Sequence, residues 1–397
     1  MDFSEDDDSK TFRRDVRDFV RASLPADIRF KVLNLLRVEK ADMTRWQRIL
    51  HDRGWGAPAW PKAFGGAGWT ALQRKVFDEE CFEGGAPRQV PHINMIGPIL
   101  QRFGTKAQQD RFLAPLLRLD EWWCQGYSEP GAGSDLASLS LKAERRGDTY
   151  VLNGQKTWTT YAHWADWMFL LARTSSGAKP QQGISFFLLD MKSPGVTVRP
   201  ITALDGGHDI NEVFLDEVVV PAENLVHEAD DGWTVAKYLL TFERTDIAGV
   251  GICKRLLRLA REVAGRQKKR GAPLIEDPHI KDRIARLEIE LLAHEWTVLR
   301  ILSQLDRGEP VGAETSVLKV RSTEIQQQLT ELLLDCAGPD AGPYLPAARE
   351  AEWNGVMPHS ALINGLAANY LDWRKVTIFG GTSEVQKNII AKTMIGL

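Results

Sequence analysis

The sequence is poor in the features that mark a secreted, metal-bound or membrane-embedded chain. Its four cysteines, Cys81, Cys124, Cys253 and Cys336, lie far apart among 397 residues and form no Cys-x-x-Cys pair. That argues against a disulfide framework and a zinc site, and it fits a reducing compartment. The eight histidines show no metal-binding spacing. No apolar run reaches membrane-spanning length, and the opening Met1-Asp2-Phe3-Ser4-Glu5-Asp6-Asp7-Asp8 is acidic where presequences are basic. A cytoplasmic protein is expected. Charge of one sign is also lacking: 50 basic residues stand against 53 acidic ones, so no net field draws the chain to nucleic acid or to an anionic membrane. There is no Gly-x-Ser-x-Gly elbow, no phosphate-binding Gly-Lys-Ser/Thr loop, no internal repeat and no low-complexity segment.

What is present falls into three stretches. From Ser9 to about Arg118 the pattern is helical, with Phe12, Val16, Phe19 and Val20 on one face after a Ser9 cap. Trp60-Pro61-Lys62-Ala63-Phe64-Gly65-Gly66-Ala67-Gly68 holds too much Gly and Pro to continue a helix and reads as a loop. From about Glu121 the pattern becomes short β-branched and aromatic runs, among them the stretches from Trp167 to Leu171, Ile184 to Leu189 and Val213 to Val220, with Pro221 ending the last. After Gly232 the helical period returns, and Ile280, Ile284, Leu287, Leu291, Val298 and Leu305 form an apolar stripe that reads as bundle core. The expected class is α+β: an N-terminal helical domain over 1–120, a β-barrel or sandwich over 121–226, and a C-terminal four-helix bundle over 227–397.

Two motifs in the middle stretch argue for one site. Tyr127-Ser128-Glu129-Pro130-Gly131-Ala132-Gly133-Ser134-Asp135 offers backbone N–H groups, small hydroxyls and residues that permit close backbone approach, suited to a polar planar ligand. Asn153-Gly154-Gln155-Lys156-Thr157-Trp158-Thr159-Thr160 offers an indole between threonines. The run from Thr149 to Gly154 reads as a strand entering a tight turn, so that the motifs close on each other as a hairpin. His208, following Gly206-Gly207, reads as the end of a turn.

These motifs, together with Gly381-Thr382-Ser383-Glu384-Val385-Gln386, resemble those of the flavin-dependent acyl-CoA dehydrogenases, and the resemblance covers nearly the whole chain. Trp122-Trp123-Cys124-Gln125-Gly126, the run from Lys156 to Thr160, and Asp205-Gly206-Gly207-His208 are similar to the large subunits of two-subunit members such as pimeloyl-CoA dehydrogenase. The resemblance implies FAD, an acyl-CoA substrate, transfer of hydride from Cβ to flavin N5, and an electron-transfer flavoprotein as acceptor. It places the flavin ring against Tyr127, Ser128, Trp158 and Thr160, the adenosine end near Thr382 and Glu384, and the pantetheine or thioester near Ser134. An isolated Trp in a chain with 13 of them would more simply be a core aromatic; the surrounding motif reverses that reading.

Desaturation also needs a base for the Cα proton. Many members of the family carry a Glu directly before the C-terminal Gly-Thr, but here that position is Gly380. A second group places the base in a Glu-Arg pair on the first long helix of the C-terminal domain, where this chain has Phe242-Glu243-Arg244-Thr245. Glu243 is therefore the expected base. Arg244, pointing elsewhere on the helix, is expected on the substrate side. An apolar pocket would raise the carboxyl from about 4.3 toward neutrality.

The chain departs from the homotetrameric members at the segments that reach a neighbour's flavin. Gln267-Lys268-Lys269-Arg270-Gly271 and Leu334-Asp335-Cys336-Ala337-Gly338 keep their glycines and lose the usual polar companions. A second, unlike subunit is expected, with a homo-oligomer as the alternative. Arg266, Lys268, Lys269 and Arg270 read more simply as a solvated charge run than as a clamp for coenzyme A phosphates. Two rivals remain open at this level: a flavin monooxygenase or nitroalkane-oxidising relative on the same fold, and a non-catalytic subunit.

Overall fold

The computed structural model describes residues 6–246, 249–342, 344–350, 352–356 and 360–397, and for 240–246 the backbone alone. Helices α1 (Asp7–Ser23), α2 (Ala26–Leu33), α3 (Lys40–Asp52), α4 (Ala71–Gly84), α5 (Pro91–Phe103) and α6 (Lys106–Arg118) come first. Strands β1 (Trp123–Gly126), β2 (Lys142–Arg146), β3 (Thr149–Thr160), β4 (Trp167–Arg173), β5 (Ile184–Asp190), β6 (Val196–Ile201), β7 (Ile210–Pro221) and β8 (Leu225–Val226) follow. Then come α7 (Gly232–Asp246), α8 (Val250–Arg266), a small hairpin of β9 (Lys268–Lys269) and β10 (Ala272–Pro273), α9 (Pro278–Asp306), α10 (Glu314–Ala337), α11 (Ala361–Asp372) and α12 (Ser383–Ile390). Among the described residues no helix is long and apolar enough to cross a membrane.

The chain packs as two compact units, one of Met1–Trp46, Trp69–Gln89 and Arg244–Leu397, the other of Gln47–Gly68 and Val90–Glu243. In the first, the stripe on α9 buries Ile280, Ile284, Leu287 and Leu291 against Leu256 and Ala260 of α8 and Ile325, Leu329 and Leu333 of α10. α1 starts earlier than the Ser9 cap expected, because Asp6 accepts the Ser9 N–H at 2.6 Å and takes the cap itself. Its Arg13 and Arg17 reach across to Glu79 and Glu80, both buried on α4. Burial alone would raise Glu79, but the charges of Lys75 and Lys254 outweigh it and hold the carboxyl below its ordinary value. The Asp306 carboxylate, at the end of α9, accepts the Ala71 and Leu72 N–H groups at 2.6 and 3.1 Å and so caps α4.

The second unit is built on one hydrogen-bonded sheet in the order β6-β7-β3-β2-β4-β5-β8, with β1 pairing β4. Met168 to Ala172 on β4 and Ile184 to Leu189 on β5 are buried throughout, which explains why both runs are apolar apart from Ser185. Two expectations change here. β8 follows Pro221, so β7 is not the last strand. And β3 does not turn at Gly154 but runs on to Thr160. Gly154, at φ 147, sits at a register shift opposite β7, where a Cβ would stand 3.0 Å from Leu141. The Asn153 side chain bridges to Glu217 on β7 in both directions, at 2.6 and 2.8 Å, which closes a bulge rather than a hairpin.

The Gly-rich interruption after α3 is tied down by Trp60, a buried indole whose Nε1–H donates to the Ile93 carbonyl on α5 at 3.0 Å. Gly97, one turn on, makes room for it: a Cβ there would lie 1.9 Å from the Trp60 ring. Gly97→Ala is therefore expected to cost about 1–3 kcal/mol through overpacking, read as a lowered urea midpoint; an unchanged midpoint would show that the loop is not anchored there.

Candidate functional site

The two motifs meet through a buried ion pair. Lys156 on β3 is 0% exposed and its Nζ lies 2.7 Å from Glu129 Oε1 and 3.2 Å from the Tyr127 carbonyl oxygen. Glu129 is also satisfied on its other side, accepting the Ser140 N–H and hydroxyl at 2.7 and 2.9 Å and the Leu141 N–H at 3.0 Å. Burial pushes the Lys156 ammonium down to about 8 against the pull of Glu129. Burial would raise Glu129, but Lys156 and the N–H donors hold it below the ordinary carboxylate value. Glu129 and Ala132 exchange reciprocal backbone hydrogen bonds at 3.0 Å around Pro130-Gly131, so these two corner residues turn the loop back over the pair.

Above this pair, β3 carries a bulge. Lys156 faces Val213 and Thr159 faces Asn211, so Thr157 and Trp158 together oppose Glu212. Trp158 takes φ 58, a left-handed conformation that costs a bulky residue roughly 1–3 kcal/mol. Both flanking peptides are pinned: Thr157 N–H donates to the Ser128 carbonyl at 2.9 Å, and Asn211 Nδ2 donates to the Thr159 carbonyl at 3.0 Å. The outcome is an indole 60% exposed between two buried threonines. Thr159 Oγ1 is buried with no hydrogen-bond partner. Ser128 and Thr160 are half-buried on the same stretch.

Of the residues singled out in the sequence, Tyr127, Ser128, Trp158 and Thr160 are thus brought together, with Ser134 exposed on the same loop. The junction is by hydrogen bonds rather than by strand pairing. Thr382 and Glu384 belong to the other compact unit. Thr382 caps α12 by accepting the Val385 N–H at 3.2 Å. Glu384 sits in its first turn, held below the ordinary carboxylate value by its own backbone N–H and the Thr382 hydroxyl. Positions 243 and 244 lie on α7, and their side chains are outside the described residues. Lys268 and Lys269 lie exposed on β9, and Arg270 and Gly271, at φ 53 and 85, make the two-residue turn to β10. Gly271 is thus accounted for by turn geometry. His208 does follow a turn, closed by the Ala203 N–H to Gly207 carbonyl bond at 2.9 Å, but it also bonds Asn211. Glu129, Lys156 and Asn211 were not read as site-building residues from the sequence. The signal available for the first two was only their opposite charge, one in each motif.

Over its full span the chain matches the N-terminal domain of acyl-CoA dehydrogenases at residues 6–120, the middle domain at 124–218 and the C-terminal domain at 230–395. The chain belongs to the acyl-CoA dehydrogenase family. Acyl-CoA dehydrogenase IpdE1 of Mycobacterium tuberculosis is 37% identical over 361 residues, spanning 89% of this chain and 87% of that protein. The crystal structure of the ChsE4-ChsE5 complex from Mycobacterium tuberculosis aligns with a TM-score of 0.85 at 29% identity, over 100% of this chain and 99% of that one. A Tcur3481-Tcur3483 steroid ACAD aligns at 0.86 and 28% identity, over 100% and 99%.

An acyl-CoA dehydrogenase is an FAD-dependent flavoprotein, an enzyme of fatty-acid and lipid catabolism. The residues present fit the cofactor: an exposed indole held in a strained conformation offers a flat face, and a buried threonine hydroxyl beside it lacks a partner.

Glu129→Gln leaves Lys156 buried without a counter-charge, and a loss of about 3–5 kcal/mol is expected in chemical unfolding. In the parent protein the Glu129 contribution is present above the unfolded carboxylate value near 4.3 and is lost as pH falls through the lower folded value. Its acid limb should therefore be steeper than that of Glu129→Gln. Overlapping acid limbs would exclude Glu129 as the group responsible.

Proposed function

We propose that this chain catalyses α,β-dehydrogenation of an acyl-CoA thioester, with a flavin ring packed on Trp158 and Glu243 as the base. The single observation that carries the flavin placement is the exposed indole of Trp158, held at φ 58 by bonds to both neighbouring peptides. FAD, when bound, supplies the two-electron acceptor. The chain's own groups do the rest. Trp158 presents its face to the ring, and the Ser128 and Thr160 hydroxyls and the loop from Tyr127 to Ser134 meet polar edges of the cofactor and the thioester. Glu243 takes the proton from Cα, and Arg244 serves the substrate. Backbone N–H groups near Glu243 or Gly380 polarise the thioester carbonyl. Gly380 supports the choice of Glu243, since it offers no carboxylate at the alternative position.

The acyl group we infer is steroid-derived, by likeness to the Tcur3481-Tcur3483 steroid ACAD. Electrons would leave to an electron-transfer flavoprotein. Thr382 and Glu384 would serve the adenosine end, and a second, unlike acyl-CoA dehydrogenase subunit would complete the site. Support for the partner comes from the Gln267–Gly271 segment, whose Gln267 side chain is engaged with Asp340 at 3.2 Å, and from the two-chain ChsE4-ChsE5 complex among the relatives.

Two measurements test this. Glu243→Gln should lower kcat by roughly 10²–10⁴ with flavin absorbance unchanged; near-normal turnover would remove Glu243 as the base. The chain expressed alone should retain little flavin and regain it when co-expressed with its partner; stoichiometric flavin and full activity from the chain alone would eliminate the shared site.

A further inference from the structure

Arg13, Arg17 and Arg21 climb one face of α1 at four-residue intervals, a row about 12 Å long at the α-helical rise. The first two meet carboxylates of α4. Arg13 lies 3.0 Å from Glu79 and 2.9 Å from Glu80, and Arg17 donates to Glu80 from Nε and Nη2 at 2.8 and 3.0 Å. The third has no such partner. One level further along both helices Val20 packs against Gly84, where a Cβ would stand 2.4 Å from the Val20 methyl. The position that would continue the acidic side of the ladder is therefore a glycine, and Glu83 beside it is paired with Arg258 of α8. Among the described residues Arg21, exposed in the last turn of α1, has no carboxylate partner.

A second guanidinium reaches the same end of the ladder. Arg29 of α2 lays its stem beside Gly85, where a Cβ would lie 3.3 Å from Arg29 Cγ, and donates from Nη2 to the Val20 carbonyl at 3.3 Å. It too lacks a carboxylate among the described residues. Neither arginine is needed to close a helix. The Val20 carbonyl already accepts the Leu24 N–H at 3.0 Å, and the Gly85 and Ala86 N–H groups close α4 on the Phe82 and Cys81 carbonyls at 3.2 and 2.9 Å. Of the other acids at this end, Asp27 is held by Arg45 and Asp18 stands beside Arg17. Arg21, Arg29, Leu33 and Lys254 line a cavity of about 580 Å³ between α1, α2, α4 and α8, all within the first compact unit. Lys254 is engaged with Glu295 and Glu79 at 2.5 and 3.2 Å. Arg255, buried behind the last turn of α2, donates to the Val32 carbonyl at 2.7 Å and adds a further positive charge.

We infer that this cavity binds an organic phosphate of nucleotide size, its phosphoryl oxygens accepting from Arg21 and Arg29. A phosphoryl dianion matches the two charges that the fold leaves unanswered, and its oxygens can take both guanidinium forks at once. The volume lies in the ordinary range of small-molecule sites, and Leu33, 36% exposed, offers apolar contact to the rest of the ligand.

The probe is AMP, titrated calorimetrically into the protein saturated with FAD, with its partner if flavin retention requires one. One AMP per chain should bind with a Kd between about 1 μM and 1 mM, and inorganic phosphate should compete more weakly. Arg21→Gln and Arg29→Gln should each weaken AMP about tenfold or more with flavin content unchanged, whereas Arg45→Gln, on the surface of α3, should leave the affinity as it was. Arg21 is exposed, so its variant is expected to fold, and an unchanged urea midpoint verifies this. Equal AMP affinity in the parent protein and either cavity variant would overturn the inference, since the nucleotide would then occupy the acyl-CoA or cofactor site. Adenosine binding as tightly as AMP would overturn it too, by showing that the phosphoryl group is not recognised. So would the lack of saturable binding below about 10 mM.

Discussion

The site depends first on the Lys156–Glu129 pair. A lone charge in that position would be untenable, since removing an ion from water costs several kcal/mol even after relaxation. Each partner therefore dictates where the other's segment must go. Lys156 brings β3 to the loop after β1, and Glu129 spends its remaining acceptor capacity on Ser140 and Leu141, bringing in the approach to β2. The pair contributes less to stability than its 2.7 Å separation suggests, because desolvation opposes it. What it supplies is specificity: of the registers β3 could adopt, this one leaves no buried charge unanswered.

On that footing the chain can hold an unfavourable conformation. An aromatic residue with positive φ relaxes unless its neighbours forbid it, and here a peptide N–H on one side and a carbonyl on the other are both fixed by groups outside β3. The strain places an indole face in the open, where a strand of ordinary pleat would have carried it flush with its neighbours. The same logic governs Gly154 and Gly97: in each case the absence of a Cβ lets a side chain or a strand come closer than any larger residue permits.

The first unit illustrates a different use of charge. Glu79 and Glu80 are buried, but several cations on different helices answer them, so the network ties α1, α4 and α8 together. The β9–β10 hairpin shows the reverse. Its Gly271 is accounted for by a two-residue turn at positive φ, while Lys268, Lys269 and Arg270 lie exposed.

The sequence by itself determined the class of fold and the family. Periodicity is a local property, so the α9 stripe, the buried runs of β4 and β5 and the Gly-Pro interruption after α3 were all legible from residue order, and so were the motifs from Tyr127 to Asp135 and Lys156 to Thr160 that the structure brings together. Where the structure departs from that reading, a long-range partner decides. Asn153-Gly154 looks like a hairpin turn until Glu217 on β7 bonds Asn153 twice. Ser9 looks like a cap until Asp6 supplies a carboxylate first. Most of all, nothing in the order of residues says that Glu129 and Lys156, twenty-seven positions apart, share a bond, or that Asn211 reaches back to Thr159 while bonding two stacked imidazoles. Those are choices of tertiary structure, because a buried polar group accepts whichever partner the packing brings within reach, and that partner is set by the fold of the whole sheet.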